Sequence, residues 1–211
     1  MKIIVTTLAF GDVPYFSFSE RINRKYCDIH GYEFKVIPPS EEIGRSPIWR
    51  KVSGVATLLP DADFVLFLDA DAYFRDFSVP LMPLIQHMSD AALLLGSDRR
   101  DRTFAWSDRN ANTGVFVVRN SEEGFRVLDE WWHAPTRYDR RWLWMWPPEQ
   151  GALNYIVRPL FPEHVIRVIP YFYMNGVDGI FIRHLIGVSN EERVRVLKNE
   201  VERLLVGTPE C

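Results

Sequence analysis

The stretch whose reading decides the fold is Phe64-Val65-Leu66-Phe67-Leu68-Asp69-Ala70-Asp71, an unbroken apolar run that ends in two carboxylates one residue apart. The run does not alternate, so it predicts a strand covered on both faces, as in the centre of a mostly parallel sheet. Such sheets bind ligands beyond the carboxyl ends of their strands, which is where Asp69 and Asp71 stand. If the chain stays extended, residues two apart point the same way, and both carboxylates face one hard divalent cation, Mg²⁺ or Mn²⁺. A metal held there grips a diphosphate. Aspartate also ends many strands simply as a turn former, so the rest of the chain has to decide.

Upstream, Ile3 to Leu8 reads as a strand, and Phe18, Ile22, Tyr26 and Ile29 give helical spacing between Pro14 and His30. Glu33 to Ile37 is a second strand. Ser46-Pro47 opens a helix that turns Trp49, Val52, Val55, Ala56 and Leu59 inward. Downstream, Pro80 to Met88 reads as a short helix, and Ala91 to Leu95 and Thr113 to Val118 as strands. The long polar stretch between those two strands is read as functional, with residues 99–109 a lid over the site. Ser121 caps a helix through Trp132, and Pro147-Pro148 starts another with Leu153, Ile156 and Val157. Val165 to Ile169 and Ile180 to Ile182 follow as strands. Ser189-Asn190-Glu191-Glu192 is a capping box ahead of a last amphipathic helix. Strand and helix alternate almost throughout, which predicts an α/β fold in a single domain over residues 1–206, with 207–211 a tail or the start of a linker to a further domain after Cys211.

With 211 residues, 47% of them hydrophobic and 25% charged, the chain has the composition of an ordinary globular domain. A net charge of −3 without a basic block argues against nucleic acid as a partner. Two cysteines, Cys27 and Cys211, are too few for a disulfide framework or a thiolate zinc site. No signal peptide or membrane-spanning run is visible, so the expected location is cytoplasmic.

The polar loop closes on Asn112-Thr113-Gly114-Val115-Phe116, with Arg119-Asn120-Ser121 behind it, and Glu149-Gln150 opens the later helix. Together with Trp49-x-Lys51, Asp69-Ala70-Asp71 and His184-x-x-Gly187, this order resembles the galactosyl-, mannosyl- and xylosyltransferases of glycosyltransferase family 34 from about Trp49 to Gly187. The resemblance implies a GT-A fold, Rossmann-like with a mostly parallel sheet flanked by helices. It also implies a nucleotide-sugar donor, usually UDP-linked, with Mn²⁺ and retention of anomeric configuration. Pro147-Pro148 departs from the pattern, since another acid often precedes the acid-Gln pair in family members.

In that light His184 is the candidate nitrogen ligand beside Asp69 and Asp71, whereas His30, His87, His133 and His164 are read as hydrogen-bonded core residues. Gly187 lets backbone approach the diphosphate, and Lys51 is a mobile charge for a phosphate or the nucleotide. Thr6, Thr7, Ala9 and Phe10 stand at the first strand exit, where GT-A enzymes seat base and ribose, and Ala70 lies between the two acids. Asn112 and Gly114 shape the sugar pocket, and Asp98 is an acceptor for sugar hydroxyls. Glu149 orients a sugar, while the Gln150 amide oxygen faces the charge that develops at the anomeric carbon. Trp142, Trp144 and Trp146 offer faces on which a saccharide acceptor stacks.

The function expected is a metal-dependent, retaining transfer of a sugar from a UDP-sugar to a saccharide or glycan. A haloacid-dehalogenase-type phosphatase also places Asp-x-Asp after an apolar strand, but in its first strand and with a different continuation. A sugar nucleotidylyltransferase wants a Gly-rich loop ending in Arg, which Leu8-Ala9-Phe10-Gly11-Asp12 is not. A carbohydrate-binding domain with a dead site is the non-enzymatic alternative.

Overall fold

The computed structural model describes residues 1–39, 44–86, 88, 90–98 and 110–206. The lid expected over residues 99–109, the tail 207–211 and His87 lie outside the described residues. In chain order the elements are β1 (Ile3–Leu8), α1 (Phe16–His30), β2 (Glu33–Ile37), α2 (Arg50–Leu58), β3 (Phe64–Asp69), β4 (Ala72–Phe74), α3 (Met82–Gln86) and β5 (Leu93–Ser97). They continue with β6 (Ala111–Arg119), α4 (Glu122–Arg137), α5 (Pro148–Ala152), β7 (Ile166–Ile169), α6 (Tyr171–Met174), β8 (Ile182–His184) and α7 (Asn190–Val201).

The run 64–68 is indeed a central strand. It lies between β1 and β6 in a sheet of order β2-β1-β3-β6-β5-β7, in which β6 alone runs against the others. Both faces are covered because successive side chains enter different cores. Val65 and Phe67 pack with Trp49, Val52 and Trp131 from the α2 and α4 side. Leu66 and Leu68 pack with Tyr26, Phe74 and Leu84 from the α1 and α3 side. Each fully buried side chain of this size contributes about 1.5–3 kcal/mol, which holds the carboxyl end of β3 in a fixed place.

The exits of β1, β3 and β5 and the entry of reversed β6 lie along one edge of the sheet. A second, two-stranded sheet of β4 and β8 sits beside it, with Ala72 opposite His184. Several expectations are corrected here. β6 begins at Ala111 rather than Thr113, so Ala111 and Asn112 are strand and not loop. β4 was not expected, α4 runs on past Trp132 through Pro135 to Arg137, and the last short strand is Ile182–His184. Of the histidines read as core, His164 is exposed and His133 lies on the surface of α4, 3.0 Å from Asp129; His30 is half-buried, with Nε2 2.9 Å from the Phe77 carbonyl. Among the described residues no helix is long and apolar enough to cross a membrane.

Candidate active site

Asp69 is the last residue of β3, and the chain turns at Ala70 before β4 begins at Ala72. The two carboxylates therefore converge through a turn and not, as an extended chain would have it, through alternation. The β4–β8 pairing then brings in His184, and Leu185 N donates to Asp71 O at 3.1 Å, closing that junction. One oxygen from each aspartate and one ring nitrogen of His184 all lie within 4.8 Å of one another. Nε2 of His184 is 3.1 Å from Asp71 Oδ1 and 3.8 Å from Asp69 Oδ2.

The other ring nitrogen is fixed by a residue the sequence reading missed. Asn175 Nδ2 donates to the Ser97 carbonyl at 3.3 Å, which orients its amide so that Oδ1 faces His184 Nδ1 at 2.8 Å. An amide oxygen only accepts, so Nδ1 carries the hydrogen, and Nε2 is the ring nitrogen that faces the two carboxylates. A ring nitrogen and two carboxylate oxygens converging in this way could hold a divalent cation. Nothing in the sequence around Asn175-Gly176 distinguishes it from an ordinary turn.

Gly114 makes the approach possible, because a Cβ there would lie 2.0 Å from His184 Cε1 and 2.8 Å from Asp69 Oδ2. Gly187 has φ +71°, a left-handed conformation that glycine adopts without strain. Burial by itself would raise the Asp71 carboxyl, but His184 and then Arg193 hold it below the ordinary value.

Lys51 is not the mobile phosphate partner expected. It is 1% exposed, with Nζ 2.8 Å from Asp69 Oδ1, 3.2 Å from Glu149 Oε1 and 3.3 Å from the Thr113 carbonyl. It ties the aspartate of β3 to the acid of α5 behind the cleft. Glu149, also 1% exposed, accepts from Thr113 Oγ1 at 2.9 Å, while its Oε2 has no hydrogen-bond partner among the described residues. Asp98 is half-buried, and its carboxylate accepts from Gln150 Nε2 at 2.9 Å and from Asn112 Nδ2 at 3.4 Å. With Nε2 so committed, Gln150 Oε1 accepts from Thr113 N at 3.2 Å.

The two aspartates, His184, Glu149 and Gln150 line a cleft of about 490 Å³. Its wall includes Ala9, Phe10, Tyr15, Asp69, Ala70, Asp71, Asn112, Gly114, Trp146, Glu149, Gln150, His184, Gly187 and Arg193. Thr6 and Thr7 do not reach it; both are buried inside β1. Of the three tryptophans, Trp142 stacks on Tyr155 with ring centres 5.7 Å apart and packs against Gly151, whereas Trp144 and Trp146 are 61% and 74% exposed.

A mostly parallel sheet thus presents an aspartate pair at its central exit, a histidine from the two-stranded satellite sheet and an acid-amide pair to one cleft beyond its strand ends, the place where such sheets bind ligands. The chain belongs to the nucleotide-diphospho-sugar transferase family, whose sequence profile matches residues 33–202. It is 27% identical over 184 residues to an uncharacterized alpha-1,2-galactosyltransferase of Schizosaccharomyces pombe, covering 72% of this chain and 48% of that protein. It is 31% identical over 114 residues to xyloglucan 6-xylosyltransferase 4 of Arabidopsis thaliana, covering 50% of this chain and 21% of that one. The chain thus spans about half or less of the length of these relatives.

Among solved structures, a glycosyltransferase involved in glycosylation of the major capsid of PBCV-1 superposes with a TM-score of 0.74 at 20% identity, over 94% of this chain and 100% of that one. Galactosyltransferase LgtC, in complex with donor and acceptor sugar analogs, gives 0.58 at 14% identity over 93% and 95%. The GT-A fold follows from these superpositions, and membership of the nucleotide-diphospho-sugar transferase family sets the phosphatase reading aside.

Proposed function

We propose that the chain transfers a sugar from a UDP-sugar to a saccharide acceptor with retention at the anomeric carbon, and that Asp69, Asp71 and His184 hold Mn²⁺ for the purpose. The observation that carries this reading is that the convergent Asp-Asp-His set and the Glu149-Gln150 pair line one cleft. Bound metal supplies charge neutralisation for a departing diphosphate. The protein supplies the rest. Lys51 and Thr113 fix Glu149 Oε1 and leave Oε2, buried and unpartnered, to accept from a sugar hydroxyl. Asp98 and Thr113 fix the Gln150 amide at the cleft wall, where its oxygen meets positive charge developing on the sugar. Because Glu149 is engaged in holding and Gln150 is no base, neither member of the pair is placed to deprotonate an acceptor from the opposite face, which favours retention. The exposed Trp146 ring at the cleft mouth gives an acceptor pyranose an apolar surface to stack on.

The test is Mn²⁺-stimulated turnover of UDP-sugars. Asp71→Asn is expected to lower it about 100- to 1000-fold, the scale of removing one preorganised electrostatic group. Turnover near the parent level in that variant would remove the metal assignment. Proton NMR of the product from an α-linked UDP-hexose should show an α linkage, and a β product would make Glu149 the base of an inverting enzyme.

A further inference from the structure

Asp71 divides its two oxygens between different partners. Oδ1 faces His184, while Oδ2 lies 2.9 Å from Nε of Arg193 on α7. Arg193 Nε also donates to the Leu185 carbonyl at 3.2 Å, its Nη1 donates to Asn190 Oδ1 at 3.2 Å, and its guanidinium carbon lies 5.2 Å from the centre of the Tyr15 ring. Asp71 is thus its one anionic partner among the described residues, the other contacts being neutral acceptors and a ring face. Among the described residues that line the cleft, Arg193 is the only lysine or arginine. Lys51 cannot share its role, since it is sealed behind the wall by Asp69, Glu149 and the Thr113 carbonyl.

We propose that Arg193 couples metal loading to diphosphate binding: its guanidinium opposes a cation at the Asp69-Asp71-His184 set until a diphosphate takes the guanidinium as its own partner. The inference rests on the nucleotide-sugar reading of the cleft and adds to it an energetic link between two ligands. A positive charge fixed against Asp71 repels a second cation at the same carboxylate, and in a partly buried site that repulsion is weakly screened. A diphosphate entering the cleft offers the guanidinium an anion that matches its planar fork. Once the charge is shared with phosphate, the obstacle to the metal is relieved. Metal alone then binds weakly, metal with diphosphate binds well, and each strengthens the other by the same factor.

Calorimetric titration of Mn²⁺ into the protein, with and without saturating UDP as the diphosphate probe, tests this in the absence of any sugar transfer. In Arg193→Gln, Mn²⁺ alone is expected to bind on the order of tenfold more tightly than in the parent, and the strengthening by UDP to shrink by about the same factor, within the usual range of coupling between sites. Arg193→Lys keeps the charge, so its affinity for Mn²⁺ alone should stay within about twofold of the parent. Thermal melts of both variants check that they fold, and the lysine variant tests the charge argument independently of the glutamine one. Unchanged or weaker Mn²⁺ binding in Arg193→Gln overturns the inference, and so does a tenfold rise in Arg193→Lys; in either case Arg193 merely orients Asp71 and the transferase reading stands. A parent that binds no Mn²⁺ with or without UDP removes the metal reading itself, and this inference with it.

Discussion

Lys51 is a buried ammonium between two carboxylates, and its environment decides what its loss would do. Burial alone would lower its pKa, but Asp69 and Glu149 outweigh that and raise it above the ordinary 10.5. A group whose pKa is raised on folding stabilises the fold below its ordinary value and loses that contribution as pH rises through the raised one. Lys51→Met should therefore cost stability at neutral pH by about 3 kcal/mol, the low end for breaking a buried pair, because Asp69 stays partly solvated. Urea unfolding at pH 7 and at pH 11 checks it. The gap between parent and variant should narrow at the higher pH, and Mn²⁺ should recover part of the loss at pH 7 by supplying positive charge beside Asp69. A gap that widens with pH would reverse the assigned sign.

At the scale of elements, the strand β6 shows what was legible in the sequence and what was not. Its apolar half, Val115 to Val118, announces itself by composition, as do the run 64–68 and the caps at Ser121 and Ser189, whose side chains accept from Gly124 N and Glu192 N. Its first two residues, Ala111 and Asn112, read as loop because they continue a polar stretch, and strand direction is not encoded in an apolar run at all. Local pattern was equally silent on Asn175 and on β4, whose pairing with β8 is a long-range event. It also misjudged Lys51, because which side of a wall a side chain faces depends on neighbours far along the chain. Helix α4 also outruns the expected end at Trp132, with Pro135 in its last turn, near enough to the end that little of the helix ladder is broken. The tolerance of β6 is correspondingly narrow at Gly114. Gly114→Ala would drive a methyl into His184 and Asp69, so Mn²⁺ affinity by calorimetry should fall about 10- to 100-fold, the scale of disturbing the groups that orient ligands. Retention of parent affinity would show that His184 is free to move aside.

For the whole molecule, the important fact is that the candidate site is assembled from pieces with separate packing. Asp69 stands on the main sheet, Gln150 on α5 against the α2–α4 face, and His184 on β8. The segment after His184 is anchored by its own small core, in which Leu185, Leu197 and Val201 pack with Ile22 and Tyr73. A ligand that bridges these pieces binds the native state alone and stabilises it by mass action, about 2.7 kcal/mol at one hundred times its dissociation constant. For a chain of this length each kcal/mol raises the melting temperature by about 2–4 °C, so saturating Mn²⁺ with UDP should raise it by about 5–10 °C. Either ligand alone should give less, because each completes only part of the bridge between β3, β8 and α5. Differential scanning fluorimetry over a grid of the two concentrations measures it. The expected surface is steeper along the diagonal than along either axis; a shift with both ligands no greater than the larger single shift would show that the pieces are not joined by a common ligand.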